Sequence, residues 1–272
     1  MNSFGYCLNA STLRGTPVLR QIEAAAAAGF GAIELWFADT DAHVAAGGSL
    51  REIHRALDDA GLEVPTLIYF SGWFEAPSTE WPRIKDACAR RMVQASILGA
   101  KHLICSPPEG LANLATGAQR YRELLNLGKE SGVTPIVEFL GFVKQHCTIE
   151  SALEVLTLAG GGTTVLDPFH VFRGGGSIES ITQLRADQIA ISHFNDIPSE
   201  PPRKQQGDSD RVMPGDGTFD LHRYCDLLRS TGYRGWLSLE LFRPDLWSRD
   251  PLDVAREGFR KMRPFVEETT GG

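Results

Sequence analysis

The chain has no apolar run approaching the ~20 residues that a helix needs to cross a bilayer, and its 272 residues give a membrane-spanning reading no support. The first residues, MNSFGYCLNAS, lack the basic stretch and long apolar core of a secretory signal, so a soluble cytoplasmic protein is the expectation. Cysteine is scarce and unpatterned. Cys7, Cys88, Cys105, Cys147 and Cys225 are odd in number, widely spaced and without a CxxC pair, so they read as reduced packing residues and not as disulfides or a thiolate metal site. Positive charge is also short. With 27 Lys and Arg against 34 Asp and Glu, the formal net charge of −7 argues against a nucleic-acid partner and leaves a small molecule as the expected ligand. No linker, low-complexity segment or close repeat divides the chain, so residues 1–272 read as one domain.

What is present is an alternation of strand and helix patterns from end to end. FGYCLNAS, GAIELWF, VPTLIYF and AKHLICSPP read as strands one to four, with helices expected over 17–28, 50–60 and 83–98. Gly29 and Gly61 stand where C-terminal glycine caps belong. A helix over 116–131, with Thr116 as a candidate N-cap, precedes strand five, PIVEF. Helices near 149–158 and 178–184 flank strand six, TTVLD; QIAISHFND is strand seven, and GWLSLELF is strand eight. A long loop over 197–217 and helices over 221–230 and 252–266 complete the order. Eight strand–helix pairs in roughly 250 residues predict an α/β fold, a single (β/α)8 TIM barrel. In the SGWFEAPSTEWP loop, Trp73, Phe74 and Trp81 are expected either to line a pocket mouth or to pack the loop down.

Strands five to eight end on Glu138, Asp167, His193 and Glu240. Barrels place their chemistry at the C-terminal ends of the strands, so topology alone brings these four together. Buried acids do not stay ionised without a compensating partner, and three carboxylates with one imidazole make a first shell for a divalent cation. One ion is expected, with Mn²⁺ placed ahead of Mg²⁺, Co²⁺ or Zn²⁺, although residue types alone do not choose among the four. His170, three residues beyond Asp167, and Arg211, in DRVMPGDG, stand where substrate contacts are expected. Their plainer readings are a loop histidine bonded to backbone and an arginine paired with Asp208 or Asp210. Glu34 either reaches the pocket floor or contacts a neighbouring strand. GGG at 174–176 lacks the lysine and hydroxyl of a phosphate loop and reads as a turn. His43, His54, His102, His146 and His222 read as surface or structural residues.

The series EFLG, CTIE, LDPFHVF, SHFND, DRVMPGDGTFDL and SLELFRP resembles the xylose-isomerase-like barrel superfamily, and within it the inosose (2-keto-myo-inositol) isomerases. The resemblance covers nearly the whole chain and is densest from Glu138 to Pro244. It implies that Glu138, Asp167, His193 and Glu240 hold one divalent metal, that Glu138 and Glu240 double as acid/base groups, and that His170 and Arg211 contact a keto-sugar or inosose. An isomerase acting through an enediolate is the implied activity; a keto-sugar 3-epimerase, dehydratase or keto-glycoside lyase is the alternative on the same site. Where related 3-epimerases carry a glutamate six residues past the strand-five ligand, this chain has Lys144. An apurinic-site endonuclease needs several zinc ions and histidines from early strands, whereas strands two and three end here on Glu34 and on Tyr69 or Phe70. A metal-binding subunit dependent on a partner is a third reading, and a homo-oligomer is left open.

Overall fold

Side chains along a strand alternate between its two faces, and in this chain the alternation sorts polar site residues from packing residues. In the computed structural model, which describes residues 4–267, the strands are β1 (Gly5–Asn9), β2 (Ala32–Trp36), β3 (Thr66–Phe70), β4 (His102–Cys105), β5 (Thr134–Val137), β6 (Thr164–Leu166), β7 (Ile189–Phe194) and β8 (Trp236–Leu239). All are parallel and pair in chain order into a closed barrel, β8 returning to β1. Leu8, Ile33, Leu35, Val137, Leu166, Phe194, Leu237 and Leu239 point outward into the large core under the helices. Ile68, Ile104, Ile136, Val165 and Ile191 form a separate apolar plug inside the barrel. Two residues beyond Ile136, Val165 and Ile191, on the same inward parity, come Glu138, Asp167 and His193. Glu240 follows Ser238 in the same way, and Glu34 lies between Ala32 and Trp36. A slip of one residue would turn each of these polar groups into the outer core.

The helices are α1 (Val18–Ala28), α2 (Phe37–Ala45), α3 (Leu50–Ala60), α4 (Trp81–Ile97), α5 (Leu114–Ser131), α6 (Ile149–Ala159), α7 (Pro168–Gly174), α8 (Leu221–Ser230), α9 (Pro244–Trp247) and α10 (Pro251–Val266). Their ends follow local chemistry. Ser49 and Glu52 form a capping box at α3, and Gly61 closes it with φ +66°. None of the helices is long and apolar enough to cross a membrane among the described residues. The five cysteines are free.

Two local expectations are corrected, and one helix that was not expected is present. Thr116 is not the cap of α5: the Asn113 side chain accepts from the Thr116 N–H, and the helix starts at Leu114. α2 follows β2 directly, without a side-chain cap to announce it. The 178–184 segment winds as a 3₁₀ helix, Ile178–Gln183. Trp73 and Phe74 are buried, so they pack their loop down and do not line a mouth.

Candidate active site

At the C-terminal ends of β5 to β8, Glu138, Asp167, His193 and Glu240 converge and are all at least nine-tenths buried. His193 is the hub. Its Nδ1 lies 3.2 Å from Glu138 Oε1, 3.1 Å from Glu240 Oε2 and 3.9 Å from Asp167 Oδ2. The other ring nitrogen, Nε2, lies 3.4 Å from Glu34 Oε2. These are ion-pair distances, and neither nitrogen has a well-aligned hydrogen-bond partner.

Asp167 ends β6 and begins α7. Its Oδ1 caps the helix by accepting from the Phe169 N–H at 2.8 Å, with Pro168 in the first turn where no amide donor is needed. That turn carries His170 back over the carboxylate, Nε2 to Oδ2 3.8 Å. The His170 Nδ1 faces the Gly141 N–H at 3.2 Å, so the backbone contact of the plainer reading is present. Its Nε2 faces Arg211 Nη2 at 3.0 Å, and since a neutral ring accepts at one nitrogen only, it answers one of these two donors. Phe142, partly exposed, meets the ring edge-on.

Arg211 reaches the site from the long loop. Nη2 donates to Asp167 Oδ2 at 2.9 Å; Nη1 lies 3.1 Å from Asp208 Oδ1 and 3.5 Å from Glu240 Oε2. Asp208 is thus a partner, whereas Asp210 instead accepts from the Gly207 N–H. The guanidinium lies over Phe169 and Phe242, which removes it from water and strengthens its pull on the acids.

Charge and burial set the protonation states. Burial pushes the Glu138 carboxyl up to about 7, against the pull of His193, with Glu240 and Asp167 adding to the rise. Burial also opposes ionisation of Asp167, but Arg211, the neighbouring imidazoles and the Asn195 amide together outweigh it and hold that group at about 2. His170 is pushed down to about 3, chiefly by burial, and is neutral. Burial disfavours a charged His193 too, yet Glu240 and Glu34 lift it well above the ordinary histidine range. Glu34 is held below the usual carboxylate range: burial opposes this, and His193, Ser238 and Thr66 overcome it.

Four buried carboxylates therefore share one guanidinium and one imidazole. Donor atoms of Asp167, His193 and Glu240, and separately of Glu138, Asp167 and His170, lie within 4.8 Å of one another. This excess of converging oxygen donors around a ring nitrogen without an aligned partner fits a hard divalent cation.

The model of the xylose isomerase-like TIM barrel matches residues 22–265. The chain belongs to that family. Within it, the chain is 31% identical over 150 residues to the inosose isomerase of Bacillus velezensis, covering 52% of each protein. It thus spans about half the length of such curated relatives. A 3-dehydroshikimate dehydratase of Pseudomonas aeruginosa is 28% identical over 265 residues, 95% of this chain and 41% of the relative. The crystal structure of the IOLI protein with a binding zinc atom superposes with a TM-score of 0.88 at 22% identity, covering 97% of this chain and 98% of that one, which speaks to the shared fold.

Glu34 and Asn9 are the site neighbours that sequence reasoning left unassigned or missed. Asn9 Nδ2 donates to both Glu34 Oε2 and Glu240 Oε1 at 3.1 Å. The available signal was parity: Asn9 closes β1 on the inward face, and Glu34 lies within β2 on the same face. Lys144 is exposed. Of the other histidines, His43 and His54 pair with Glu52 and Asp58 at the surface, His102 meets the Pro65 carbonyl, and His146 and His222 pack on Phe74 and Phe265.

Proposed function

We propose that the chain is a divalent-metal-dependent enzyme that isomerises a keto-inositol or related keto-sugar by proton transfer through an enediolate. The observation that carries this reading is the convergence of Glu138, Asp167 and Glu240 on His193 Nδ1, with Arg211 and His170 alongside. Glu138, Asp167, His193 and Glu240 would hold the ion, which when bound supplies Lewis-acid polarisation of the substrate ketone. Mn²⁺ is the first choice for a mostly oxygen shell.

The chain's own groups then divide the work. Glu138 and Glu240 are the acid/base pair that takes the α-proton and returns one at the neighbouring carbon, both carboxyls facing one pocket beside His193. Arg211 faces the oxygen on which negative charge develops, and neutral His170 orients a hydroxyl. Phe169 and Phe242, stacked on Arg211, keep water from that face.

A dehydratase is the second reading, supported by the dehydratase relative that aligns over 95% of this chain. It shares the proton abstraction and differs in expelling a β-hydroxyl afterwards. The test is to offer keto-inositols, linear keto-sugars and cyclic β-hydroxy ketones to metal-stripped protein and to protein reloaded with Mn²⁺, Mg²⁺, Co²⁺ or Zn²⁺. Interconversion of ketone positions only after reloading supports the isomerase; an unsaturated product with loss of water supports the dehydratase. If no substrate turns over in any reloaded sample, both fail.

A further inference from the structure

Glu34 has no part in the chemistry above, yet it is fully enclosed, 0% exposed. A carboxylate so far from water persists only if donors replace the lost solvent. Thr66 of β3 and Ser238 of β8 give it hydroxyl hydrogen bonds, and Asn9 of β1 adds an amide at 3.1 Å. Its remaining neighbour is His193 Nε2.

Asn9 is fixed just as completely. One amide hydrogen goes to Glu34 and the other to Glu240 Oε1, while Oδ1 accepts from Trp36 Nε1 at 2.9 Å and from the Ser11 N–H at 3.0 Å. Turning the amide over would set its oxygen against two carboxylates and its hydrogens against two donors, so the orientation has one solution.

We infer that Glu34 and Asn9 are a positioning pair that presents His193 to the cation through Nδ1 and holds Glu240 by its outer oxygen. The inference rests on the metal-site reading above. A ring nitrogen that keeps its proton needs an acceptor, and a ring nitrogen that ligates must first give its proton up. Glu34 lies on the Nε2 side and the three proposed acidic ligands lie on the Nδ1 side. The proton therefore stays on Nε2 and the lone pair on Nδ1 faces the ion. Asn9 occupies Glu240 Oε1, which leaves Oε2, the oxygen nearest His193 and Arg211, to face inward. The alternative is that Glu34 merely ties β1, β3 and β8 together.

The test measures Zn²⁺ and Mn²⁺ affinity by competition with a chromophoric chelator, beside the melting temperature of each metal-free protein. Glu34→Gln should weaken binding about 10- to 100-fold, the usual effect of losing a partner behind a ligand, and Glu34→Asp should recover part of it. A purely structural Glu34 would lower the metal-free melting temperature and leave affinity within twofold of wild type, which overturns the inference. Asn9→Ala, which spares every carboxylate, should also weaken binding, and keeps the test decisive if Glu34→Gln fails to fold. Nitrogen-15 spectra of the zinc-loaded wild type should show His193 protonated at Nε2 and metallated at Nδ1; the reverse assignment also overturns it. His193→Ala separates the two levels. If that variant keeps its metal, the metal-site reading itself fails; if it loses metal while Glu34→Gln and Asn9→Ala bind normally, only the positioning pair fails.

Discussion

Asp167 answers three donors at once: the Phe169 N–H that begins α7, the Asn195 amide at 3.0 Å and the Arg211 guanidinium at 2.9 Å. A buried acid with this many partners is a fixed negative charge, and Arg211 is the cation that makes it tolerable. Arg211→Ala should lower kcat/KM by ~10²-fold or more with metal content unchanged, because a donor aimed at developing charge acts mainly in the transition state. Near-normal kcat/KM would reduce Arg211 to a loop residue paired with Asp208. His193→Ala should act the other way round, removing most of the bound metal; elemental analysis of purified protein checks this, and unchanged occupancy would contradict the assignment. At this scale the sequence was informative where a single strand delivers a single group. It left Glu34 between two readings and was silent on Asn9, because their partners are read only across the closed barrel, Glu34 to Ser238 being 204 residues apart.

Among the elements, the 197–217 loop is pinned near both of its ends by one side chain. Asp196 accepts from the Ile197 and Phe219 N–H groups through Oδ1, and from the Gly215 and Gly217 N–H groups through Oδ2, while its backbone pairs with Val212 in both directions at 2.9 Å. That clamp holds Arg211, the residue before Val212, against the site. Asp196→Ala strands several amide donors at a cost of roughly 1–3 kcal/mol for each that water does not reach. Trypsin should then cut at Arg203, Lys204 or Arg211 well before the barrel unfolds; digestion at the wild-type rate would show the loop held by other contacts. Strand positions were legible in the sequence because apolar residues and inward polar ends follow a period of two. α2 was not, since Phe37–Ala45 lacks a side-chain cap and joins β2 without a break. Trp73 and Phe74 were ambiguous for another reason: an aromatic residue in a loop reads the same whether it faces a pocket or the core. Asp196 was visible as a residue but not as a clamp, its acceptors' partners lying up to 23 positions away.

At the scale of the whole molecule, eight parallel strands gather residues from Asn9 to Glu240 into one volume, and the negative charge gathered there exceeds what Arg211 and His193 return. A cation bound only by the folded barrel stabilises it by about 2.7 kcal/mol at a hundred times its dissociation constant. For a chain of this size that is a rise in melting temperature on the order of 5–10 °C, which chelation should reverse; an unchanged melting curve would mean that the barrel holds no ion. The central claim is proton transfer at carbon, and isotope exchange tests it most directly. Metal-loaded wild-type protein is to be incubated with a keto-inositol in D₂O beside a protein-free control. The expected result is deuterium on a ring carbon next to the ketone, in product and recovered substrate, with suppression of ~10²- to 10⁴-fold in Glu138→Gln or Glu240→Gln samples that retain metal. Turnover that leaves every α-carbon undeuterated, or no exchange above the control across keto-inositols and keto-sugars, would contradict the account.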